Sequence, residues 1–191
     1  MDEFNELPSN VLLEGYWQTE KYFLQIRPIL LNEFRWEPFT DHLNPIVCES
    51  ISKDNSVGLH VRRGDFIENA VIHNHHGVCD IDYYRRAISH VNANIENPTY
   101  YVFSDDIAWA KREFASLSSV KFIDHNKGSE SFRDMQLMSY CKHNIIANSS
   151  FSWWGAWLNQ NENKVVVAPE KWFKNLEMST TDLIPSRWIK K

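Results

Sequence analysis

The chain has 191 residues, 43% of them hydrophobic and 24% charged, which is enough for one well-packed domain with an appendage and excludes wholesale disorder. Its formal net charge of −5 excludes a general nucleic-acid binder, because such a protein presents a basic face to phosphates. Any anionic ligand must be held by a local arrangement of donors. Three cysteines, Cys48, Cys79 and Cys141, form no paired framework and fit a reducing compartment, so a cytoplasmic location is expected. No run has the apolar length to cross a bilayer, and Met1-Asp2-Glu3-Phe4-Asn5-Glu6 lacks the basic start of a signal peptide. Membrane contact is expected to be peripheral at most, at the inner face.

In chain order, Tyr16–Phe34 reads as one amphipathic helix broken near Pro28, and residues 1–55 as a helical segment docked on a domain of residues 56–191. From Ser56 onward, short β-rich runs alternate with helical patterns, the signature of βαβ units and a parallel sheet. Strands are expected at Val57–Val61, Tyr100–Ser104, Val120–Ile123, Asn144–Ala147 and Lys164–Val167. Helices are expected between them at about Ile81–Val91, Ile107–Phe114, Ser131–Cys141 and Phe151–Leu158. Asp105-Asp106 can cap the second of these, Ser131 with Asp134 resembles an acidic capping box for the third, and Ser149-Ser150 can cap the fourth.

Ligands of open parallel sheets bind outside the carboxyl ends of the strands. The first strand delivers His60, Arg62, Arg63 and Asp65 to that edge, and a guanidinium there can grip a pyrophosphate through paired hydrogen bonds. Alone, this run fits an Arg–Asp surface ion pair equally well. At Asn148-Ser149-Ser150-Phe151 a strand ends and a helix begins, a turn whose free amides and helix dipole suit a phosphate. A diphosphate needs both charge compensation and directed donors, so the two strand ends strengthen one another. Asp134 can accept two hydrogen bonds from the Watson–Crick edge of guanine, or merely cap its helix. His73, His75, His76 and Cys79 invite a metal reading but lack a second ligand pair at zinc spacing, so no metal is expected. Phe103, Trp153, Trp154 and Trp157 are taken as packing.

Val57-Gly58-Leu59-His60-Val61-Arg62-Arg63-Gly64-Asp65 and the long run from Asp134-Met135-Gln136 through Asn148-Ser149-Ser150-Phe151-Ser152-Trp153-Trp154-Gly155 to Asn159 resemble glycosyltransferase family 11. Val166-Val167-Ala168-Pro169, Trp172-Phe173 and Gly15-Tyr16-Trp17-Gln18-Thr19-Glu20-Lys21-Tyr22-Phe23 are similar to it as well. The resemblance implies an α/β fold, a Rossmann-like parallel sheet with flanking helices, as the donor-binding half of a GT-B-type enzyme. It implies inverting transfer of L-fucose from GDP-fucose to the 2-hydroxyl of a terminal β-galactoside, in glycan or O-antigen synthesis, without a required metal or other cofactor. Arg62 would bind the β-phosphate, with Arg63 beside it, and His60 would lie by the nucleotide. Asp134 would read guanine, while Ser149, Ser150 and the Phe151 amide would hold phosphate. Asp65 and Glu68 are the acids nearest the reacting centre, and either could serve as base. A Gly-Gly-Leu-Gly-Asn-Gln type opening, usual in the family, is absent from this sequence. Residues 1–55 are therefore expected to be a remnant of the acceptor-side domain, with a GDP-sugar-binding domain that does not transfer as the alternative.

Overall fold

The computed structural model of the protein describes residues 6–8, 10–12, 14, 18–64, 67, 77–174 and 180–191. Strands β1 (Asn55–Val61), β2 (Pro98–Ser104), β3 (Val120–Ile123), β4 (His143–Ile145), β5 (Val166–Ala168) and β6 (Ile189–Lys190) form one sheet in the order β3-β2-β1-β4-β5-β6. Every pairing is parallel. Helices α3 (Ile81–Asn94), α4 (Ile107–Glu113), α5 (Phe132–Tyr140) and α6 (Ser150–Leu158) connect successive strands from β1 to β5, while α1 (Arg27–Glu33) and α2 (Leu43–Lys53) precede the sheet. This is the expected α/β, Rossmann-like architecture.

Helices on both faces explain why Ser56 to Val61 are buried without interruption, since a central parallel strand has no wet side. Val57, Leu59 and Val61 point into one core with Tyr84, Ala87 and Val91 of α3 and Val102 of β2. On the other face Tyr101 and Phe103 of β2 meet Ile51 of α2 and Leu137 and Met138 of α5. Gly58 lies on that second face, where an added Cβ would stand 3.0 Å from Asn144 Nδ2 and 3.3 Å from Cys141 Sγ. Asn144 cannot retreat, because its amide donates to the Met138 carbonyl (2.9 Å) and accepts from Asn159 Nδ2 (2.8 Å). Gly58→Ala is therefore expected to cost about 1–3 kcal/mol by overpacking, seen as a lower urea midpoint at unchanged slope.

The segment before β1 departs from its sequence reading. Instead of one helix over Tyr16–Phe34, two 3-10 turns, Glu20–Tyr22 and Leu24–Ile26, lead into α1, and Pro28 lies in the first turn of α1 rather than breaking it. Proline suits that turn because its missing N–H has no intrahelical partner there. The segment is anchored by Glu20, a buried acid that accepts from Trp157 Nε1 (2.9 Å) and Arg187 Nη2 (2.7 Å). The far end of α6 is fixed too. Lys164 Nζ donates to the Ala156 carbonyl (2.9 Å) and to that of Asn159, and Asn159 Nδ2 donates to the Cys141 carbonyl (2.6 Å). Among the described residues no helix is long and apolar enough to cross a membrane.

Candidate functional site

Leaving β1, the chain goes to β2 on one side of it, whereas β4 occupies the other side. The strand order thus reverses between β1 and β4, and in such sheets the crevice outside the carboxyl ends at the reversal is the ligand site. The loops that border it are residues 62–64 after β1 and 146–149 after β4. Because the connecting helices return antiparallel to the strands, the first turns of α5 and α6 lie at this same edge.

The β1 loop is built around Asp105, at the end of β2. Asp105 Oδ1 accepts from the Arg63 amide (2.8 Å) and Oδ2 from the Gly64 amide (3.1 Å), while Arg62 Nη1 stands 3.2 Å from Oδ2. Only Asp106 caps α4, accepting from the Trp109 amide (3.1 Å). The two arginines differ in surroundings. The Arg63 guanidinium lies over the Trp109 ring, 4.2 Å from its centroid, with Nε 3.2 Å from Asp106 Oδ2. Arg62 pairs with Asp105, and a third of its side chain is exposed. The Arg–Asp pairing weighed as the alternative for this run thus exists, with Asp105 and Asp106 as acids.

His60, the penultimate residue of β1, is buried, and its ring sits 5.4 Å from that of Phe151. Among the described residues its Nδ1 has no hydrogen-bond partner. Burial, with the charge of Arg62 as a smaller influence, holds its pKa down at about 3. His60 is therefore a neutral, buried polar group beside the first turn of α6.

At the β4 end, Ser149 occupies the N-cap position of α6 with extended backbone, yet its hydroxyl makes no capping bond, contrary to the expectation for Ser149-Ser150. Ser150 is exposed and begins the helix itself. The turn is held from behind by Asn148, whose Nδ2 donates to the carbonyls of Gly77 (3.3 Å) and Trp172 (3.1 Å). Ser152 Oγ turns back to the Ser149 carbonyl (3.2 Å). An anion here would meet the positive end of a nine-residue helix without displacing a side-chain cap.

Ser131 with Asp134 is not a capping box: Ser131 makes no capping bond, and Asp134 Oδ1 instead accepts from Asn126 Nδ2 (2.8 Å). Burial pushes the Asp134 carboxyl up to about 7, the Asn126 bond pulling the other way.

Beside Ser150 opens a cavity of about 240 Å³ lined by Phe23, Trp153, Trp154, Trp172 and Leu183, with Gln18, Thr19 and Ser150 as its polar rim. Trp153 does pack, stacking on Trp157 and donating from Nε1 to the Leu183 carbonyl (2.9 Å). Both Trp153 and Trp154 nevertheless wall this cavity, a role their reading as packing did not include. Asp65 and Glu68, with His73, His75 and His76, lie outside the described residues. Cys79 is buried, with its Sγ 3.5 Å from Asn148 Oδ1. Among the described residues no three metal-ligating side chains come together.

The family model described as "Glycosyl transferase family 11" matches residues 1–190. The chain belongs to glycosyl transferase family 11. It is 38% identical over 181 residues to an alpha-1,2-colitosyltransferase of Escherichia coli, covering 92% of this chain and 61% of that one. It is 45% identical over 144 residues to the Escherichia coli O-antigen biosynthesis glycosyltransferase WbnK, covering 75% of this chain and 46% of the relative. A mouse galactoside 2-alpha-L-fucosyltransferase, Sec1, is 27% identical over 164 residues, 82% and 45% of the two chains. The family 11 chain described here thus spans about half to three-fifths of the length of these relatives. Its edge contains groups that strand-end reasoning missed. Asp105 looked like a cap, Asn126 carried no motif, and Phe23 stood in a different segment from the tryptophans it faces.

Proposed function

We propose that this chain is the donor-binding part of an inverting α-1,2-fucosyltransferase that transfers L-fucose from GDP-fucose to the 2-hydroxyl of a β-galactoside. The observation that carries the reading is the adjacency of β1 and β4, which sets the Arg62 loop beside the uncapped turn of Ser149 and Ser150. Arg62 would take the β-phosphate in a charge-assisted contact, while Ser150 and the Phe151 amide complete the phosphate cradle. With these groups compensating the charge, binding calls for no metal. His60 would lie beside the nucleotide and Asp134 would accept from the N1–H and exocyclic amine of guanine. The cavity beside Ser150 suits the apolar side of a 6-deoxyhexose, with its methyl group against tryptophan.

In the reaction the acceptor hydroxyl attacks the anomeric carbon from the face opposite the phosphate. The bond from that carbon to the β-phosphate oxygen breaks, GDP departs, and the hydroxyl proton passes to Asp65 or Glu68 as base. Arg62 stabilises the charge that grows on the leaving phosphate. The names of the relatives, which speak of colitosyl and fucosyl transfer, support the transferred sugar and direct the choice of substrates for its test. Labelled GDP-fucose and GDP-colitose are incubated with a β-galactoside, and GDP, UDP and ADP affinities are measured in parallel. Transfer together with preference for GDP is expected. Preference for GDP with no transfer to any β-galactoside would reduce the chain to a nucleotide-sugar-binding unit, and equal affinity for UDP or ADP would overturn the donor assignment.

A further inference from the structure

We infer that Asn126, locked by Asn44, is a positioning residue that aims the Asp134 carboxylate at the nucleotide base; the inference rests on Asp134 reading that base. Asn44 is buried before β1 in α2, and Asn126 lies in the β3–α5 loop. Their amides pair reciprocally: Asn44 Nδ2 donates to Asn126 Oδ1 (2.8 Å) and Asn126 Nδ2 to Asn44 Oδ1 (3.0 Å). The remaining proton of Asn44 Nδ2 goes to Asp41 Oδ2 (2.8 Å), and that of Asn126 Nδ2 to Asp134 Oδ1 (2.8 Å). His125 Nε2 adds a contact to Asn44 Oδ1 (2.9 Å).

The sense of this chain is forced. An ionised carboxylate only accepts, so Asp41 dictates which end of the Asn44 amide is nitrogen, and Asn44 in turn dictates the orientation of Asn126. Asp41 is itself held by the amides of Leu43 (2.8 Å) and Asn44 (2.7 Å) at the start of α2. Turning either amide over would set oxygen against oxygen at two places. Asn126 therefore always presents N–H to Asp134, fixing its rotamer and favouring its charged form against burial.

Among the described residues, the other ionisable groups of the elements packed on α5 make no direct bond to Asp134, and His60 of β1, on the same face of the sheet, is kept neutral by its burial. His125 and Asp41 reach it only through Asn44 and Asn126. Arg133, its neighbour on α5, turns away to the Glu37 carbonyl (2.9 Å), Gln136 (2.8 Å) and Glu130. Glu49 and Lys53 of α2 pair with each other, and α6 carries no charged residue. Burial is the larger influence on when Asp134 ionises, and Asn126 is the side chain that opposes it.

The test measures GDP and IDP affinity of the full chain from pH 6 to 9, for the parent, Asn126→Ala and Asn126→Ser, with melting curves to confirm folding. IDP lacks the exocyclic amine that a second carboxylate oxygen would accept. Asn126→Ala is expected to weaken GDP binding about tenfold at pH 7, to shift the pH midpoint of binding upward, to recover by pH 9, and to shrink the preference for GDP over IDP. Asn126→Ser, which keeps a donor, should fall between. The carboxyl carbon of Asp134, followed by NMR in the ligand-free chain, should titrate at higher pH in Asn126→Ala. An unmoved midpoint, or a loss equal for both nucleotides at every pH, overturns the inference. If Asp134→Asn leaves the preference for GDP over ADP and UDP intact, base reading by Asp134 itself is wrong and the inference falls with it.

Discussion

Arg62→Ala is expected to weaken GDP binding about 10- to 100-fold while leaving the fold in place. A hydrogen-bonded contact from a charged donor to phosphate contributes on the order of 1.5–3 kcal/mol, and each 1.4 kcal/mol is a factor of ten. The pair with Asp105 itself adds little to the folded state, since it is partly exposed and such pairs contribute about 0–1 kcal/mol. The dependence of GDP affinity on salt should flatten in the variant as well. Arg63→Ala is the contrast. Its guanidinium is committed to Trp109 and Asp106, so its removal should lower stability more than affinity. Calorimetric titration with GDP at two salt concentrations, paired with melting curves, checks both halves. Unchanged GDP affinity in Arg62→Ala would remove the β1 loop from the donor site.

Asp134→Asn is expected to move stability and binding in opposite directions. The carboxyl titrates at about 7 in the folded chain against an ordinary 3.8. Between about pH 4 and pH 7 the folded state therefore holds more protons than the unfolded state, and stability falls as pH rises through that window. Above pH 7 the full cost of a buried charge is present, on the order of a few kcal/mol at 1.36 kcal/mol per pKa unit. Asparagine removes that cost and still accepts from Asn126, so the variant should melt higher at pH 8. The sign for His60 is the reverse. Its pKa is depressed to about 3 from 6.5, so its contribution is present above pH 6.5 and is lost as pH falls toward 3. Where the windows overlap the two residues offset each other, and the difference between variant and parent melting profiles isolates Asp134. Binding should suffer, because an amide presents one acceptor and one donor to a base edge that offers two donors. In the parent chain GDP affinity should fall as pH drops below 7. A variant that is no more stable at pH 8 and still prefers GDP would refute both claims.

The elements from β1 to β5 were legible because their apolar runs are separated by helical patterns with acidic or hydroxyl starts. Other features were hidden for physical reasons. In α2, Asn44, Pro45 and Glu49 interrupt the apolar stripe, and its buried members Asn44 and Ile51 include an amide that no hydrophobic pattern would mark. At two residues β6 is too short to show a period, and it gains its place by pairing with β5. Arg62 and Ser150 could be named because strand ends are readable along the chain. That β4 lies against β1 could not be, since strand order is decided by packing across the sheet. Asp105 and Asn126 belong to the same class: each matters through a partner more than seven positions away, Gly64 for the first and Asn44 and Asp134 for the second. Asp65 and Glu68 lie outside the described residues, and they are named as the acids nearest Arg62 along the chain.

Helix α6 is fastened at both ends, by Asn148 behind its first turn and by Lys164 and Asn159 beyond its last, with Trp157 tied to Glu20 along its length. The amides of its first turn are thereby oriented when the chain folds. In the proposed donor site a phosphate would find its donors already aimed, with the entropy of arranging them charged to folding rather than to association. On that proposal, loosening Asn148 or Asn159, which hold the helix from behind, is expected to weaken nucleotide binding.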